Sequence, residues 1–280
     1  MQNKIGIIGI GRLGKALTMA LQEAGQPPVA LCDYDATAYG FAQKLNIPFS
    51  TCPQELIQQA TTVFLTVPDM KIAQVAAAIA PSCAGRTIFH CSGSLGCEAL
   101  DPLCNIECER GCFHPLQAFT GDKISFQGVY AAVDGTPQAL TTAEHIAHTL
   151  GAQTFFVPAA ERALYHAAAC ILSNYTVTLS AVAEQLFAHW KIPKNAFMPL
   201  LKGSVQNIAA ADTAASALTG PIVRGDLATV AKHLAVLPPQ YLQMYRELGA
   251  LTCAVAALEQ PRLQVQYHNI EELLKNTKDG

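Results

Sequence analysis

Residues 5–14 decide the fold, and they read Ile5-Gly6-Ile7-Ile8-Gly9-Ile10-Gly11-Arg12-Leu13-Gly14. The apolar run predicts a buried strand over Ile5–Ile8, and the pattern that follows predicts a helix over Arg12–Ala24. The turn between them has the spacing Gly-x-Gly-x-x-Gly, which in this strand–turn–helix context is typical of a dinucleotide-binding loop.

Each glycine of this turn has its own expected role. Gly9 permits the tight turn, Gly11 lets the backbone approach a pyrophosphate, and Gly14 lets the helix pack on the strand. The helix N-terminus, opened by Arg12 and Leu13, directs free N–H groups and the positive end of its dipole at the phosphates. We therefore expect NAD(H) or NADP(H) to bind here.

An acidic residue follows the second predicted strand, Val29–Cys32. Asp33 lies about 20 residues beyond the glycines, where a carboxylate bonds the ribose hydroxyls of a dinucleotide. A carboxylate at this position repels a 2′-phosphate, which favours NAD(H), although Arg12 could still pair with that phosphate of NADP(H).

Strand and helix patterns alternate through the first half of the chain, and this predicts an α/β fold. We expect a Rossmann-type, doubly wound, mostly parallel sheet followed by an all-α domain. From about Ala159 onward the pattern contains no convincing strand, so we place the dinucleotide-binding domain at residues 1–158 and a helical substrate and dimerisation domain at residues 159–280.

Two further strand ends are predicted to contribute to the cofactor site. Val67 and Pro68 follow the strand Val63–Val67, and Ser92 and Gly93 follow the strand Thr87–His90. Ligands of open α/β sheets bind at the carboxyl ends of the strands. The alternative is that these residues form ordinary strand-to-helix turns.

Composition excludes several other classes of function. The formal net charge is −3 and the sequence contains 51% hydrophobic and 14% charged residues, which does not predict a nucleic-acid or membrane-surface partner. The N-terminus runs directly into a strand and no apolar run approaches the roughly 18 residues of a bilayer span. We expect a cytoplasmic protein, and the Ala-rich helices favour a homodimer formed through the helical domain.

Ten cysteines are present, and we expect free thiols. The densest group is Cys97, Cys104, Cys108 and Cys112, followed by His114, and a metal site there is the alternative. No Cys-x-x-Cys pair occurs, and Gly111 and Pro115 interrupt any continuous helix, so we predict no metal site.

Several segments resemble a family of predicted NAD(P)-dependent oxidoreductases that join a Rossmann-like domain to a helical domain of unknown function. The matching segments extend over nearly the whole chain: GIIGIGRLGKAL, VFLTVPD, HCSGSLG, FHPLQAF, YHAAACILSNY and LTGPIVRGD. More distantly, the chain is similar to 3-hydroxyacid dehydrogenases, ketopantoate reductase and pyrroline-5-carboxylate reductase. These resemblances imply reduction of a small carbonyl or imine.

His166, Cys170 and Asn174 follow one another at a spacing of four, which places them on one helical face. In hydroxyacid dehydrogenases, the equivalent helix carries a Lys and an Asn four residues apart. If Asn174 matches that Asn, Cys170 stands at the Lys position, and the resemblance then argues against a Lys-dependent mechanism. We expect Asn174 to orient the substrate beside Cys170, because an amide among apolar neighbours in a helix needs a hydrogen-bond partner.

Two histidines are candidate proton donors, and the sequence does not rank them. His166 could replace the lost Lys, while His114 follows a predicted strand beside Gln117, which would position substrate. Arg224 could clamp a substrate carboxylate, pair with Asp226 or lie in a subunit interface, and the interface is favoured.

Together, the residues and the resemblance predict a reductase of a small keto or imino acid, and a ketopantoate-like acid is the first substrate class that we expect. A non-catalytic dinucleotide-binding redox sensor is the alternative.

Overall fold

A computed structural model of the chain describes residues 3–35, 37–119 and 125–275. The described residues pack as two compact units, Met1–Leu179 and Ser180–Gly280. The last strand ends at Phe156 and helices follow, while the predicted domain boundary after residue 158 stays a prediction. None of the described helices is both long and apolar enough to cross a bilayer.

The first unit is built around one sheet, in which eight strands occur among the described residues. The strands, in chain order, are β1 (Ile5–Ile8), β2 (Ala30–Cys32), β3 (Phe49–Ser50), β4 (Thr62–Leu65), β5 (Thr87–His90), β6 (Glu109–Pro115), β7 (Tyr130–Gly135) and β8 (Gln153–Phe156). Their order across the sheet is β3-β2-β1-β4-β5-β6-β7-β8. Neighbouring strands are parallel except β6 and β7.

The helices, in chain order, are α1 (Arg12–Glu23), α2 (Thr37–Lys44), α3 (Pro53–Gln59), α4 (Asp69–Ile79), α5 (Pro137–Thr149), α6 (Arg162–Cys170), α7 (Thr176–Ala188), α8 (Lys194–Ala210), α9 (Leu227–Val236), α10 (Pro239–Glu259) and α11 (Gln264–Lys275). A π-helical turn, Ile171–Tyr175, connects α6 to α7. The prediction of a mostly parallel, doubly wound sheet followed by helices is confirmed.

Successive side chains of the strands point to opposite faces of the sheet, and a hydrophobic core lies on each face. Phe64 of β4 joins α1 and α5 on one face, whereas its neighbours Val63 and Leu65 join α3 and α4 on the other. Successive side chains of a strand point to opposite faces, so a strand that is apolar throughout is buried on both. The switch in strand order between β1 and β4 leaves a crevice at their carboxyl ends, where such sheets bind ligands.

The second unit has a separate small core formed by α9, α10 and α11. Its centre includes Val230, Cys253 and Tyr267, and the Tyr267 hydroxyl donates to the Val223 carbonyl at 2.9 Å. Asp226 accepts a hydrogen bond from Thr229 N at 3.0 Å and is thus the N-cap of α9.

Candidate functional site

The turn after β1 needs two of its glycines for reasons internal to the protein. Gly9 has a φ of 100°, and a Cβ there would lie 2.9 Å from the Thr66 carbonyl carbon and from Val67 N. A Cβ on Gly14 would collide with the Gly9 carbonyl oxygen and lie 2.9 Å from Thr66 Oγ1. Gly9 and Gly14 therefore allow α1 and the end of β4 to approach the turn.

Gly11 differs from its neighbours because the protein itself does not require it. A Cβ on Gly11 would meet no atom within 4 Å. The residue is the N-cap of α1, has no side-chain cap and is followed by no acidic residue in the first turn. Free N–H groups, an uncompensated helix dipole and an open approach are what a pyrophosphate requires, so these residues fit a dinucleotide.

The carboxylate of Asp33 is fixed beside this turn. Its Oδ2 accepts from Ile10 N at 2.5 Å, and its Oδ1 accepts from Asp35 N at 2.9 Å. Asp35 in turn accepts from Thr37 N at 2.8 Å, and this bonding lowers the pKa of Asp35. Two oriented carboxylates therefore stand at the carboxyl end of β2, next to the glycine turn.

The ends of β4 and β5 are joined through a serine. Val67 and Pro68 lead into α4, whose first residue, Asp69, accepts from Ser92 Oγ at 2.7 Å. Ser92 Oγ also accepts from the backbone N–H groups of Ser94 and Leu95, at 3.2 Å each. The hydroxyl of Ser92 is thus committed to holding its own turn.

The side chain of His90 contacts the same loop through both of its ring nitrogens. Its ring is fully buried, Nδ1 accepts from Ser92 N at 3.2 Å, and Nε2 lies 2.8 Å from the Gly96 carbonyl oxygen. The proton must therefore be on Nε2. Burial lowers the pKa of His90 to about 4, so the ring is neutral at neutral pH. His90 thus connects Ser92 and Gly96 of the loop through its two ring nitrogens.

The two candidate histidines are brought together. The rings of His114 and His166 lie edge to face with centroids 5.7 Å apart, although β7, α5 and β8 lie between the two residues in sequence. His114 Nδ1 lies 2.8 Å from the Tyr165 hydroxyl. Burial, followed by the adjacent His166, lowers the pKa of His114 to about 4, and burial raises the pKa of Tyr165 to about 12.

A cavity of about 670 Å³ lies in front of these rings, entirely within the first unit. The sequence predicted cofactor-binding, catalytic or substrate-binding roles for six of the lining residues: Arg12, His114, Gln117, His166, Cys170 and Asn174. Arg12 opens the dinucleotide helix, so the turn that fits a pyrophosphate and the candidate chemical groups share one cavity. Leu13 packs on the core beside it.

The remaining predicted site residues differ in their surroundings. Asn174 is exposed, and among the described residues its side-chain amide has no protein hydrogen-bond partner, so the role predicted for Asn174 in orienting a substrate stays a prediction. Arg224 is an exposed residue of the second unit and does not line the cavity.

The cysteine cluster does not assemble. Cys112 is buried in β6 and donates to the Ser92 carbonyl at 3.2 Å, while Cys104 is exposed. Burial raises the pKa of Cys112 to about 12. In the parts of the chain that the structure describes, His, Cys, Asp and Glu side chains form no group of three or more suited to a metal.

Sequence reasoning missed Tyr165 and Arg162. Tyr165 was visible only as the neighbour of His166, and its role depends on a partner in β6. Arg162 is fully buried; its Nε donates to the Val157 carbonyl at 3.2 Å, and its terminal nitrogens have no partner among the described residues. No periodicity marks either residue.

Family comparisons agree with the two-part organisation. Residues 1–115 match a Rossmann-like domain, and residues 129–252 match a domain of unknown function, DUF2520. These matches confirm the predicted resemblance. No curated protein matches the chain.

Solved structures share the fold along the whole chain. A proposed NADP oxidoreductase from Bacteroides fragilis is 21% identical, with a TM-score of 0.76 over 97% of this chain and 98% of that one. A reductive aminase from Aspergillus terreus, solved with NADPH and ethyl levulinate, is 16% identical, with a TM-score of 0.64 over 98% and 93%. A Plasmodium falciparum pyrroline carboxylate reductase with NADP bound is 13% identical, with a TM-score of 0.54 over 98% and 96%. At these identities the likeness concerns the fold.

Proposed function

We propose that this chain, which joins a Rossmann-like domain to a DUF2520 domain, is a nicotinamide-dinucleotide-dependent oxidoreductase that reduces a small keto or imino acid. One observation carries the proposal: a single cavity is lined both by Arg12, at the start of the dinucleotide helix, and by His114, His166 and Asn174. The structures with similar folds include proteins solved with NADPH or NADP, which supports the cofactor class.

A reduced nicotinamide, when bound, supplies the hydride, and the chain must supply a proton or a hydrogen bond to the substrate. The Tyr165 hydroxyl remains protonated, and we assign it as the donor to His114 Nδ1, an assignment that places the imidazole proton on Nε2. Because the pKa of His114 is about 4, the ring acts at neutral pH as a neutral donor that polarises a carbonyl or imine. His166 offers a second imidazole at the same place.

Three other residues of the lining support binding of a small polar acid. Asn174 and Gln117 offer amides to orient the carbonyl, and Arg12 offers a positive charge to a carboxylate. Ketopantoate-like acids fit this combination and remain our first choice of substrate class. Arg224 is kept as a second candidate for the carboxylate, with a subunit interface as its favoured role.

The hypothesis that the chain is an oxidoreductase is tested by following the absorbance of NADH or NADPH at 340 nm with a panel of 2-keto, 3-keto and imino acids. We expect turnover with at least one acid, and a loss of about a hundredfold or more in kcat for His114→Gln. His145→Gln, an exposed histidine of α5, is the matched control. Cofactor binding with no turnover on any acid would instead support the redox-sensor alternative.

We further propose a preference for NAD(H), because the Asp33 carboxylate is held beside the turn where the adenosine ribose would lie. The solved structures of similar fold that contain NADPH or NADP would favour the opposite preference, so the two cofactors give a sharp test. Asp33→Ser should weaken NADH binding and improve NADPH binding, whereas Asp35→Asn, two residues further along the chain, should change the ratio of the two affinities little. If wild-type protein binds NADPH more tightly, the preference is wrong.

A homodimer formed through the helical domain is the proposed assembly. Neither α7 nor α8 contains a buried residue, and α8 exposes large apolar side chains at Leu200, Val205 and Ile208. Several large apolar side chains exposed on one helix favour an interface there. Sedimentation velocity should give a dimer that Leu200→Glu weakens, and a monomeric wild-type protein would contradict the proposal. A cytoplasmic location stays a prediction.

A further inference from the structure

Cys170 and His166 form a thiol–imidazole pair in the wall of the cavity. Cys170 Sγ lies 3.6 Å from His166 Nε2, and both side chains line the cavity. His166 Nδ1 is buried and has no hydrogen-bond partner among the described residues. The thiol is therefore the one hydrogen-bonding contact that the structure describes for this ring.

Most other cysteines of the chain have a raised thiol pKa and therefore form less thiolate. Burial raises the pKa of seven of the ten cysteines: Cys32, Cys83, Cys91, Cys97, Cys108, Cys112 and Cys253. Cys52 donates to Gln54 Oε1 at 3.1 Å, and Cys104 is exposed. Only the thiolate is a strong nucleophile, and a neighbouring imidazole favours its formation. Cys170 is thus the thiol that combines an imidazole partner with a binding cavity.

The shape of the lining indicates the kind of electrophile that would reach this thiol. Asn174 and Gln117 can donate hydrogen bonds to a carbonyl oxygen, while Phe119, Leu172 and Val177 provide apolar surface for a short carbon chain. A conjugated carbonyl compound carries both features and a soft electrophilic carbon. Its carbonyl would be polarised by the amides while its β-carbon faces the wall of the cavity.

We propose that Cys170 captures small α,β-unsaturated carbonyl compounds by conjugate addition, with His166 as its base. His166 Nε2 takes the thiol proton, and the sulfur forms a bond to the β-carbon as the carbon–carbon π bond breaks. The electron pair moves to the α-carbon, which receives the proton back from His166. No oxidant, reductant or leaving group is needed, and the adduct stays attached to Cys170 in the wall of the cavity.

This capture uses the cavity of the proposed reductase but needs no dinucleotide. The two proposals can therefore fail separately. Labelling of Cys170 in protein that oxidises no NADH or NADPH would leave the capture standing, and turnover in protein whose Cys170 stays unlabelled would leave the reductase standing.

The test is a time course of labelling of the full-length protein by 2-cyclohexen-1-one without cofactor, followed by peptide mass spectrometry. We expect Cys170 to be modified about tenfold or more faster than Cys104, the exposed thiol. His166→Gln should slow labelling of Cys170 by a similar factor and leave Cys104 unchanged. Cys104→Ser should leave labelling of Cys170 as in the wild type.

Two results would overturn the proposal. One is labelling of Cys104 at a rate equal to or above that of Cys170. The other is an unchanged Cys170 rate in His166→Gln, measured on protein whose circular dichroism and Cys104 labelling match the wild type. In that case the 3.6 Å contact is only the spacing of two side chains one helical turn apart.

Discussion

The imidazoles of His114 and His166 meet edge to face over the bare α-carbon of Gly93. A Cβ built on Gly93 would lie 2.8 Å from His114 Nε2 and would collide with His166 Nδ1. The absence of a side chain at Gly93 is thus what allows both rings to turn a nitrogen toward the same point. This relationship joins the end of β5, the end of β6 and the first helix after the sheet in one site.

Gly93→Ala should therefore impair chemistry more than folding. The backbone at Gly93 does not have the positive φ that would exclude alanine, so the main effect is displacement of the two rings. We expect kcat to fall on the order of tenfold to a hundredfold, a larger factor than any loss of dinucleotide affinity. Steady-state kinetics and a titration with NADH check this, and unchanged kcat would show that the rings do not act at this point.

A matched pair of glycine substitutions separates a ligand requirement from a structural one. Gly11→Ala introduces a Cβ into open space and should leave the free energy of unfolding close to that of the wild type. The same Cβ would crowd a pyrophosphate, so dinucleotide affinity should fall about tenfold or more. Denaturant unfolding and fluorescence titration measure the two effects on the same protein.

Gly14→Ala should behave in the opposite way. Its Cβ would collide with the Gly9 carbonyl oxygen, and relief of that overlap should cost about 1–3 kcal/mol of the free energy of unfolding. For Gly11→Ala, the contradicting result is different. If this variant binds NADH and NADPH as tightly as the wild type does, the turn is not a phosphate site.

Tyr165→Phe removes the hydroxyl that sets the proton on His114. Without that donor, His114 Nδ1 can carry the proton itself, and Nε2 then becomes an acceptor instead of a donor. We expect kcat to fall on the order of tenfold to a hundredfold while the dinucleotide Kd is unchanged. If Tyr165 had only a structural role, the variant would lose thermal stability without a selective fall in kcat. The pH profile of kcat and the melting temperature are therefore measured together.

Acid should destabilise the fold through His90. Its pKa is about 4 in the folded chain and near 6.5 when unfolded, so between these values the unfolded chain binds more protons. The free energy of unfolding is therefore unaffected above pH 6.5 and falls as the pH decreases toward 4, by at most about 3 kcal/mol from this residue. Urea unfolding at several pH values measures the loss.

The matched variant for this loss is His90→Gln. We expect the free energy of unfolding of this variant to depend less on pH between 6.5 and 4, even if it is lower throughout. The same pH dependence in the variant and the wild type would show that His90 is not the group responsible.

The first half of the fold was predictable because its signals are local. The strand–turn–helix of Ile5–Glu23 combines apolar periodicity with glycines, and Thr87–His90 is a short apolar run at the predicted bounds. The edge strand Phe49–Ser50 was missed because two residues carry no periodicity, and the helix Pro53–Gln59 is too short to show a face. The π-helical turn Ile171–Tyr175 lies inside what reads as one continuous helix.

The sequence identified individual residues of the site, but it did not predict which of them lie close together. Imidazole chemistry singled out His114 and His166, yet spacing along the chain carries no information on whether β6 and α6 meet, so the two remained alternatives. Tyr165 depends on a partner 51 residues away. Gly93 was expected to line the cofactor, and the structure adds its contact with both rings.

The measurement that tests the central claim most directly is an equilibrium fluorescence titration of the purified protein with NADH and with NADPH. The arrangement of Gly9, Gly11 and Gly14 beside Asp33 predicts saturable binding of at least one of them, weakened in Gly11→Ala and retained in His145→Gln. Absence of saturable binding of either nucleotide by the folded wild-type protein would contradict the account.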